Sequence, residues 1–244
     1  MILELDIGNS QIKWRLLSTD QTGIANSVED CCEAFETLPI PHLVRLASVR
    51  YDNSVSRLAE WTDAHWSIRP LVAVVTSECG GVINSYAEPH RLGVDRWLAI
   101  LSAYQRVHSA CVIVDSGTAI TIDALDSKGR HRGGYIVPGF SLAIDSLETK
   151  TGIRLKSRNF QQLSGLGTST EQAVLQGILN QVVALIEKVV AGLNKKENTI
   201  PVLLSGGNAT LLQGSLRKSG LDRLEVCPSL VLDGLALVKL EKFA

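Results

Sequence analysis

The feature that most constrains this chain is a short motif that occurs twice. Ile2 to Asp6 is an apolar run broken only by Glu4; it ends at Gly8-Asn9, and alternation resumes through Ile12, Trp14 and Leu16. Cys111 to Asp115 is again apolar and β-branched, ends at Gly117, and resumes through Ala119, Thr121 and Asp123. Each reads as a strand, a tight turn and a second strand, which is a hairpin. Leu5-Asp6-Ile7-Gly8-Asn9-Ser10 aligns with Val114-Asp115-Ser116-Gly117-Thr118-Ala119, an offset of 109 residues from Asp6 to Asp115 in a chain of 244. One hairpin repeated half a chain later predicts two related domains, 1–108 and 109–244.

The remainder of each half fits that division. Leu43 to Val49 and Leu71 to Val75 read as buried strands, with a helix between them near Val55 to His65. A further helix, Arg96 to Val107, follows Gly93. In the second half, Gly134 to Val137 is a short strand ended by Pro138-Gly139. Leu175, Leu179, Val182, Ile186, Val189 and Leu193 then form one apolar helical face. Gln176, Asn180, Glu187 and Lys188 surround it, so core or interface packing is expected rather than membrane binding. Ile200 to Leu204 reads as a strand and Ala209 to Arg217 as a helix. Strands and helices mixed at this rhythm predict an α/β fold.

Charge and composition exclude several functions. Lys plus Arg is 24 and Asp plus Glu is 25, a net charge of −1, which argues against a broad nucleic-acid surface. The adjacent pair Lys195-Lys196 reads as a solvated helix end rather than a recognition stripe. The five cysteines include no CxxC, so neither a disulfide framework nor a zinc knuckle is expected, and the pattern suits a cytoplasmic location. The five histidines never fall at i, i+4, which removes the HExxH zinc helix. Met1 to Asp6 lacks a basic, then apolar, leader, and no uncharged apolar run reaches 18 residues, so no membrane partner is expected. GxxxxGK[ST] and GxGxxG are both absent.

The paired turns offer another way to hold phosphate. In Asp6-Ile7-Gly8-Asn9-Ser10-Gln11-Ile12-Lys13 the glycine lets backbone N–H groups approach an anion. Asn9 and Ser10 can donate to phosphate oxygens, and Lys13 adds a point charge. Asp6 at the strand end can hold a cation directly or through water. The same residues also suit an ordinary Asx-type turn between two strands. Asp115-Ser116-Gly117-Thr118-Ala119 supplies a second acid, turn and hydroxyl set. A nucleotide and metal between two such hairpins would explain both.

Two DxG hairpins in duplicated halves resemble the actin, hexokinase and sugar-kinase superfamily. That resemblance implies two actin-like (ribonuclease H-like) domains with an interdomain nucleotide cleft. The fuller wording is narrower. Asp6-x-Gly8-Asn9-Ser10-x-x-Lys13-Trp14, Gly93-Val94-Asp95-Arg96-Trp97, Asp115-x-Gly117-Thr118-Ala119-x-Thr121-x-Asp123 and Gly133-Gly134-Tyr135-Ile136-x-Pro138-Gly139 resemble type III pantothenate kinases. So do Thr170-x-x-Ala173 followed by Gly177, Ser205-Gly206-Gly207, and Leu232-Asp233-Gly234-Leu235, in the family's order over nearly the whole chain. The resemblance implies ATP-dependent phosphorylation of pantothenate, the first step toward coenzyme A. It also implies a cytoplasmic homodimer using Mg²⁺ with ATP and a monovalent cation, K⁺ or NH₄⁺.

Site roles follow from the resemblance residue by residue. Asp95 matches the proton acceptor; its other reading is the cap of a helix starting at Arg96. Gly93, Val94, Asp95 and Arg96 match the pantothenate site, where a guanidinium suits a carboxylate. Tyr86 and Thr170 match further substrate contacts, although Tyr86 also suits an amphipathic boundary and Thr170 a helix N-cap. Residues 6–13 and Thr118 match ATP contacts, and Asp115 matches the monovalent-cation ligand. Asp123 resembles a family position without an assigned role. Gly206-Gly207 would let a nucleotide approach the backbone, and Ser205 stands where the family often has Thr, keeping the hydroxyl. Two other functions stay open on these residues: a non-catalytic accessory transcription factor of the same family, and a kinase for another small alcohol.

Overall fold

The structure, a computed structural model, describes residues 1–50, 52–160, 165–193 and 200–243. The Lys195-Lys196 pair lies outside the described residues. In chain order the elements are β1 (Ile2–Ile7), β2 (Ile12–Leu17), β3 (Thr22–Ala25), α1 (Val28–Glu36), β4 (Leu43–Ser48), α2 (Ser54–Trp66), β5 (Leu71–Ala73), β6 (Glu78–Cys79), β7 (Val82–Ile83), α3 (Val94–Val107), β8 (Cys111–Ser116), β9 (Ala119–Leu125) and β10 (His131–Pro138). They continue as α4 (Phe140–Lys150), α5 (Thr170–Leu193), β11 (Val202–Ser205), α6 (Ala209–Lys218), β12 (Leu224–Val226), α7 (Leu230–Gly234) and β13 (Leu240–Lys242). The chain forms two compact units. One comprises Met1–Arg106, Gly129–His131 and Ser229–Ala244; the other comprises Val107–Lys128 and Arg132–Pro228. Relative to a division after residue 108, residues 229–244 stand with the first unit, where β13 pairs antiparallel with β5.

The duplication is written in the strand order. The first sheet runs β3-β2-β1-β4-β5-β13 and the second β10-β9-β8-β11-β12. In each, the first strand of the hairpin is antiparallel to its successor and parallel to the strand on its other side (β1 with β2 and β4; β8 with β9 and β11). A strand between such neighbours has both edges paired, and the bodies of these two, Leu3 to Leu5 and Cys111 to Val114, are buried.

Each sheet packs its main apolar face under helices. In the first unit, Leu3, Leu5, Ile7, Ile12, Trp14 and Leu16 join Phe35 of α1 and Leu58 of α2. The helix α1 is absent from the sequence expectation, yet it carries a capping box: Ser27 Oγ accepts from the Asp30 N–H, and Asp30 accepts from the Ser27 N–H. In the second unit, Val112, Val114, Ile120 and Ile122 pack with α5 and α6. Helix α5 begins at Thr170, five residues before the first residue of the expected face. Leu175, Leu179, Val182 and Ile186 are buried as expected, together with Ile178, Val183 and Val190; Val189 and Leu193 are only partly covered. By length and composition alone α5 could cross a membrane, but its apolar side is packed in this core.

Glu4, the polar interruption in the first strand, is fully buried. The sheet register explains how. Glu4 sits opposite Arg15 on β2 and Arg45 on β4, so both guanidinium groups flank it. Arg15 Nε donates to Glu4 Oε2 at 2.6 Å, and Arg15 Nη1 donates to Asp233 of α7 at 2.6 Å. Arg45 Nε lies 2.7 Å from Glu4 Oε1 but out of hydrogen-bond alignment, so that contact is Coulombic. Burial would lower the Arg15 pKa, but its hydrogen bonds to Asp233 and Glu4 outweigh this and raise it. The same helix α7 meets α3 closely: a Cβ on Gly234 would stand 2.3 Å from the Leu98 carbonyl oxygen. Replacing one member of a buried ion group leaves the others uncompensated. Glu4→Gln is therefore expected to lower unfolding free energy by about 3–5 kcal/mol in a urea titration; a loss below about 1 kcal/mol would mean the cluster is held open to water.

Candidate active site

In the first unit the hairpin turn is closed by the Gly8 N–H donating to the Gln11 carbonyl at 3.0 Å. Asp6 and Lys13 are directly paired across the strands, each partly buried, while Asn9, Ser10 and Gln11 are exposed at the tip. Ile7 and Ile12 are fully buried, so only their main chain is available to a ligand. Arg50 braces the turn from behind, donating from Nε to the Gly8 carbonyl at 2.7 Å. A polar cavity of about 460 Å³ opens there, lined by Asn9, Ser10, Asn26, Arg50 and Asp52. Hydrogen bonds from Ser54 lower the Asp52 pKa, keeping it an anion beside Arg50. Asn26, Arg50 and Asp52 carry no motif in the sequence; the fold alone brings them to the turn.

The second cluster of this unit surrounds the start of α3. The helix begins at Val94, so Asp95 is inside its first turn and is not the N-cap of a helix starting at Arg96. Asp95 Oδ1 accepts from the Arg96 N–H at 2.7 Å. A Cβ on Gly93 would stand 2.6 Å from that oxygen, which explains glycine there: any side chain would displace the carboxylate. Arg96 is only 6% exposed, and its Nη1 donates to the Tyr86 hydroxyl at 2.9 Å. Gly93, Val94, Asp95, Arg96 and Tyr86, separated by up to ten residues in sequence, thus form one partly open patch holding a carboxylate, a guanidinium and a phenol. Such a set can accept a proton from a hydroxyl and bind a carboxylate.

In the second unit, three backbone segments converge on the other hairpin. The Gly117 N–H donates to the Ala119 carbonyl at 3.1 Å, and the Gly139 N–H donates to the Thr118 carbonyl at 3.0 Å. A Cβ on Gly139 would meet the Gly117 carbonyl oxygen at 2.3 Å; on Gly206, at φ +83°, it would meet the Ser116 carbonyl oxygen at 2.5 Å. Both positions are therefore closed to any other residue without backbone movement. Asp115 Oδ1 accepts from Ser205 Oγ at 2.6 Å. Thr118 is exposed on the turn, and Asp123 is buried on β9. Thr170 is exposed on the first turn of α5 but is not its cap: Ser169 Oγ accepts from the Gln172 N–H at 3.2 Å.

The donor chemistry is oxygen-rich. Among the described residues, no three His, Cys, Asp or Glu side chains are grouped to hold a metal ion. Asp115, the Ser205 hydroxyl and the nearby carbonyls are hard oxygen donors, which suit a monovalent or alkaline-earth ion better than a transition metal. Three of the cysteines are turned away from thiolate chemistry: burial pushes Cys31 and Cys111 up to about 12 and Cys32 up to about 11.

A family model for type III pantothenate kinase matches residues 2–192. The type III pantothenate kinase of Ectopseudomonas mendocina is 36% identical over 249 residues, covering 97% of this chain and 98% of the relative. That of Azotobacter vinelandii is 34% identical over 251 residues, with the same coverages. Among solved structures, a Campylobacter jejuni protein described as a conserved putative Baf family transcriptional activator aligns with TM-score 0.62 at 21% identity, over 96% of this chain and 95% of its own. The activator of 2-hydroxyisocaproyl-CoA dehydratase from Clostridium difficile, with bound ADPNP, aligns with TM-score 0.54 at 12% identity, over 96% and 92%. At these identities the structural likenesses establish the actin-like fold and nothing further.

Proposed function

The chain belongs to the type III pantothenate kinase family, and from that premise we propose how its residues carry the reaction. The enzyme transfers a phosphoryl group from ATP to pantothenate, giving 4'-phosphopantothenate, the first step of coenzyme A biosynthesis. ATP is used with a divalent metal such as Mg²⁺, which neutralises phosphate charge in such transfers. In our reading Asp95 accepts the proton of the pantothenate hydroxyl as the new P–O bond forms. Its partial exposure and its position within the first turn of α3 support this. Arg96 and Tyr86, with Gly93 and Val94, take the pantothenate, the guanidinium facing its carboxylate; Thr170 adds a further contact. Residues 6–13 and Thr118 bind ATP, with Lys13 and the turn N–H groups near the phosphates.

The observation that carries this reading is the patch formed by Asp95, Arg96 and Tyr86. It joins a proton acceptor to a carboxylate-binding pair, as an alcohol bearing a carboxylate requires. That pairing favours pantothenate over a neutral sugar or other small alcohol. An accessory role in transcription has the name of the Campylobacter jejuni neighbour behind it. The net charge of −1 and the Asp95 patch favour the enzyme. We further read the enzyme as a cytoplasmic homodimer without nucleic-acid or membrane partners. Asp115 is the monovalent-cation ligand, K⁺ or NH₄⁺, supported by the hard oxygen donors around it.

Asp95→Asn keeps an oxygen that can accept from the Arg96 N–H, so the helix start survives. Steady-state turnover should nevertheless fall about 10²–10⁴-fold; unchanged turnover would remove Asp95 from the mechanism. Asp115→Ala should raise the K⁺ concentration for half-activation by at least about tenfold. A K⁺ titration identical to that of the parent protein would exclude Asp115 as the ligand.

A further inference from the structure

His131 lies outside every role assigned above, yet it is only 3% exposed and packed against the Tyr86 side chain. The two rings are nearly parallel, at 15°, with centroids 6.2 Å apart, an offset stack. His131 Nδ1 lies 3.1 Å from Ser85 Oγ, so the imidazole is also tied to the residue preceding Tyr86. A dedicated stretch of chain delivers it. Residues Gly129–His131 stand with the first unit. There the Ile83 N–H donates to the Gly129 carbonyl at 2.9 Å, and Ile83 forms a bridge with Arg130. Gly129 has φ +73°, and a Cβ on it would stand 2.3 Å from the Gly81 carbonyl oxygen, so the crossing admits glycine alone.

Tyr86 is thereby held at three points. Asn84, itself 8% exposed, accepts from the Tyr86 N–H at 3.0 Å and donates to the Thr76 and Pro89 carbonyls, each at 3.3 Å. Arg96 donates to the Tyr86 hydroxyl and has its guanidinium carbon 5.9 Å from the ring centroid. His131 covers a ring face. The first two hold the backbone and the hydroxyl; the stack sets the plane of the ring, and so the face that the Arg96 guanidinium meets.

We infer that His131 is a positioning residue for pantothenate, acting through the orientation of the Tyr86–Arg96 pair. This rests on the reading that Tyr86 and Arg96 bind pantothenate. The ring, rather than the imidazole nitrogen, does the positioning, so the two properties can be separated by substitution.

The test is steady-state kinetics with pantothenate and ATP varied in turn, on His131→Gln, His131→Phe and Arg96→Ala. His131→Gln retains a polar group toward Ser85 and loses the ring; its KM for pantothenate should rise about tenfold, the equivalent of a lost stacked pair. Its KM for ATP and its kcat should stay within about twofold, which a general loosening of the unit would not allow. His131→Phe restores a ring and should bring the pantothenate KM back to within about threefold of the parent. An unchanged pantothenate KM in His131→Gln, a parallel rise in the KM for ATP, or failure of His131→Phe to recover would each overturn the inference. Arg96→Ala separates the premise: an unchanged pantothenate KM there would refute the assignment of the pair, and the His131 inference with it. A raised KM in Arg96→Ala beside an unchanged one in His131→Gln would refute the inference alone.

Discussion

Both units depend on a central strand that is covered on both faces. β1 and β8 each lie between an antiparallel and a parallel neighbour, which pair their edges, and the bodies of both strands (Leu3 to Leu5, Cys111 to Val114) are buried. On such a strand a partly exposed carboxylate can stand only where the strand ends and the turn begins. Asp6 and Asp115 occupy that position, each partly exposed. Glu4, placed in mid-strand, is the exception that defines the rule: it is accommodated because the register brings Arg15 and Arg45 to both its sides. Arg15 then reaches Asp233, which ties the C-terminal helix α7 to the same unit as the first strand.

The second constraint is the closeness of main chain to main chain around the working residues. Gly139 and Gly206 meet carbonyl oxygens of the 116–118 turn at distances no Cβ could share. Gly93 leaves room for the Asp95 carboxylate, and Gly234 lets α7 meet the backbone of α3 at Leu98, three residues beyond Asp95. These close approaches shape the backbone around Asp95 and the 116–118 turn, while Tyr86 and Ser205 hold the Arg96 and Asp115 side chains. A net charge of −1 supplies no long-range field for an anion, so under the proposed function attraction has to come from local groups such as Lys13, Arg96 and the turn N–H groups.

The architecture is legible in the sequence where periodicity and turn chemistry agree. The repeated Asp-x-Gly turn is enough to expect duplicated hairpins, and the shared strand order bears that out. The helices over 54–66, 94–107, 170–193 and 209–218 are legible from their apolar faces, with starts displaced by up to five residues. Helix α1 escapes the same reading because it is short and its buried face holds only Val28, Cys31 and Phe35, although Ser27-x-x-Asp30 announces its start. The reading of Asp95 as a cap assumes a helix starting at Arg96; it fails because the helix begins at Val94, one residue before Asp95 itself. Arg50 and His131 are illegible for another reason: each acts through contacts that no local sequence pattern encodes, Arg50 reaching Gly8 and His131 reaching Tyr86.

A crystal structure of the enzyme with pantothenate and a non-hydrolysable ATP analogue tests the central assignment most directly. The expected result is the pantothenate primary hydroxyl within about 3.2 Å of an Asp95 carboxylate oxygen, with the pantothenate carboxylate against Arg96. Pantothenate bound with its hydroxyl away from Asp95, and another base beside it, would contradict the assignment.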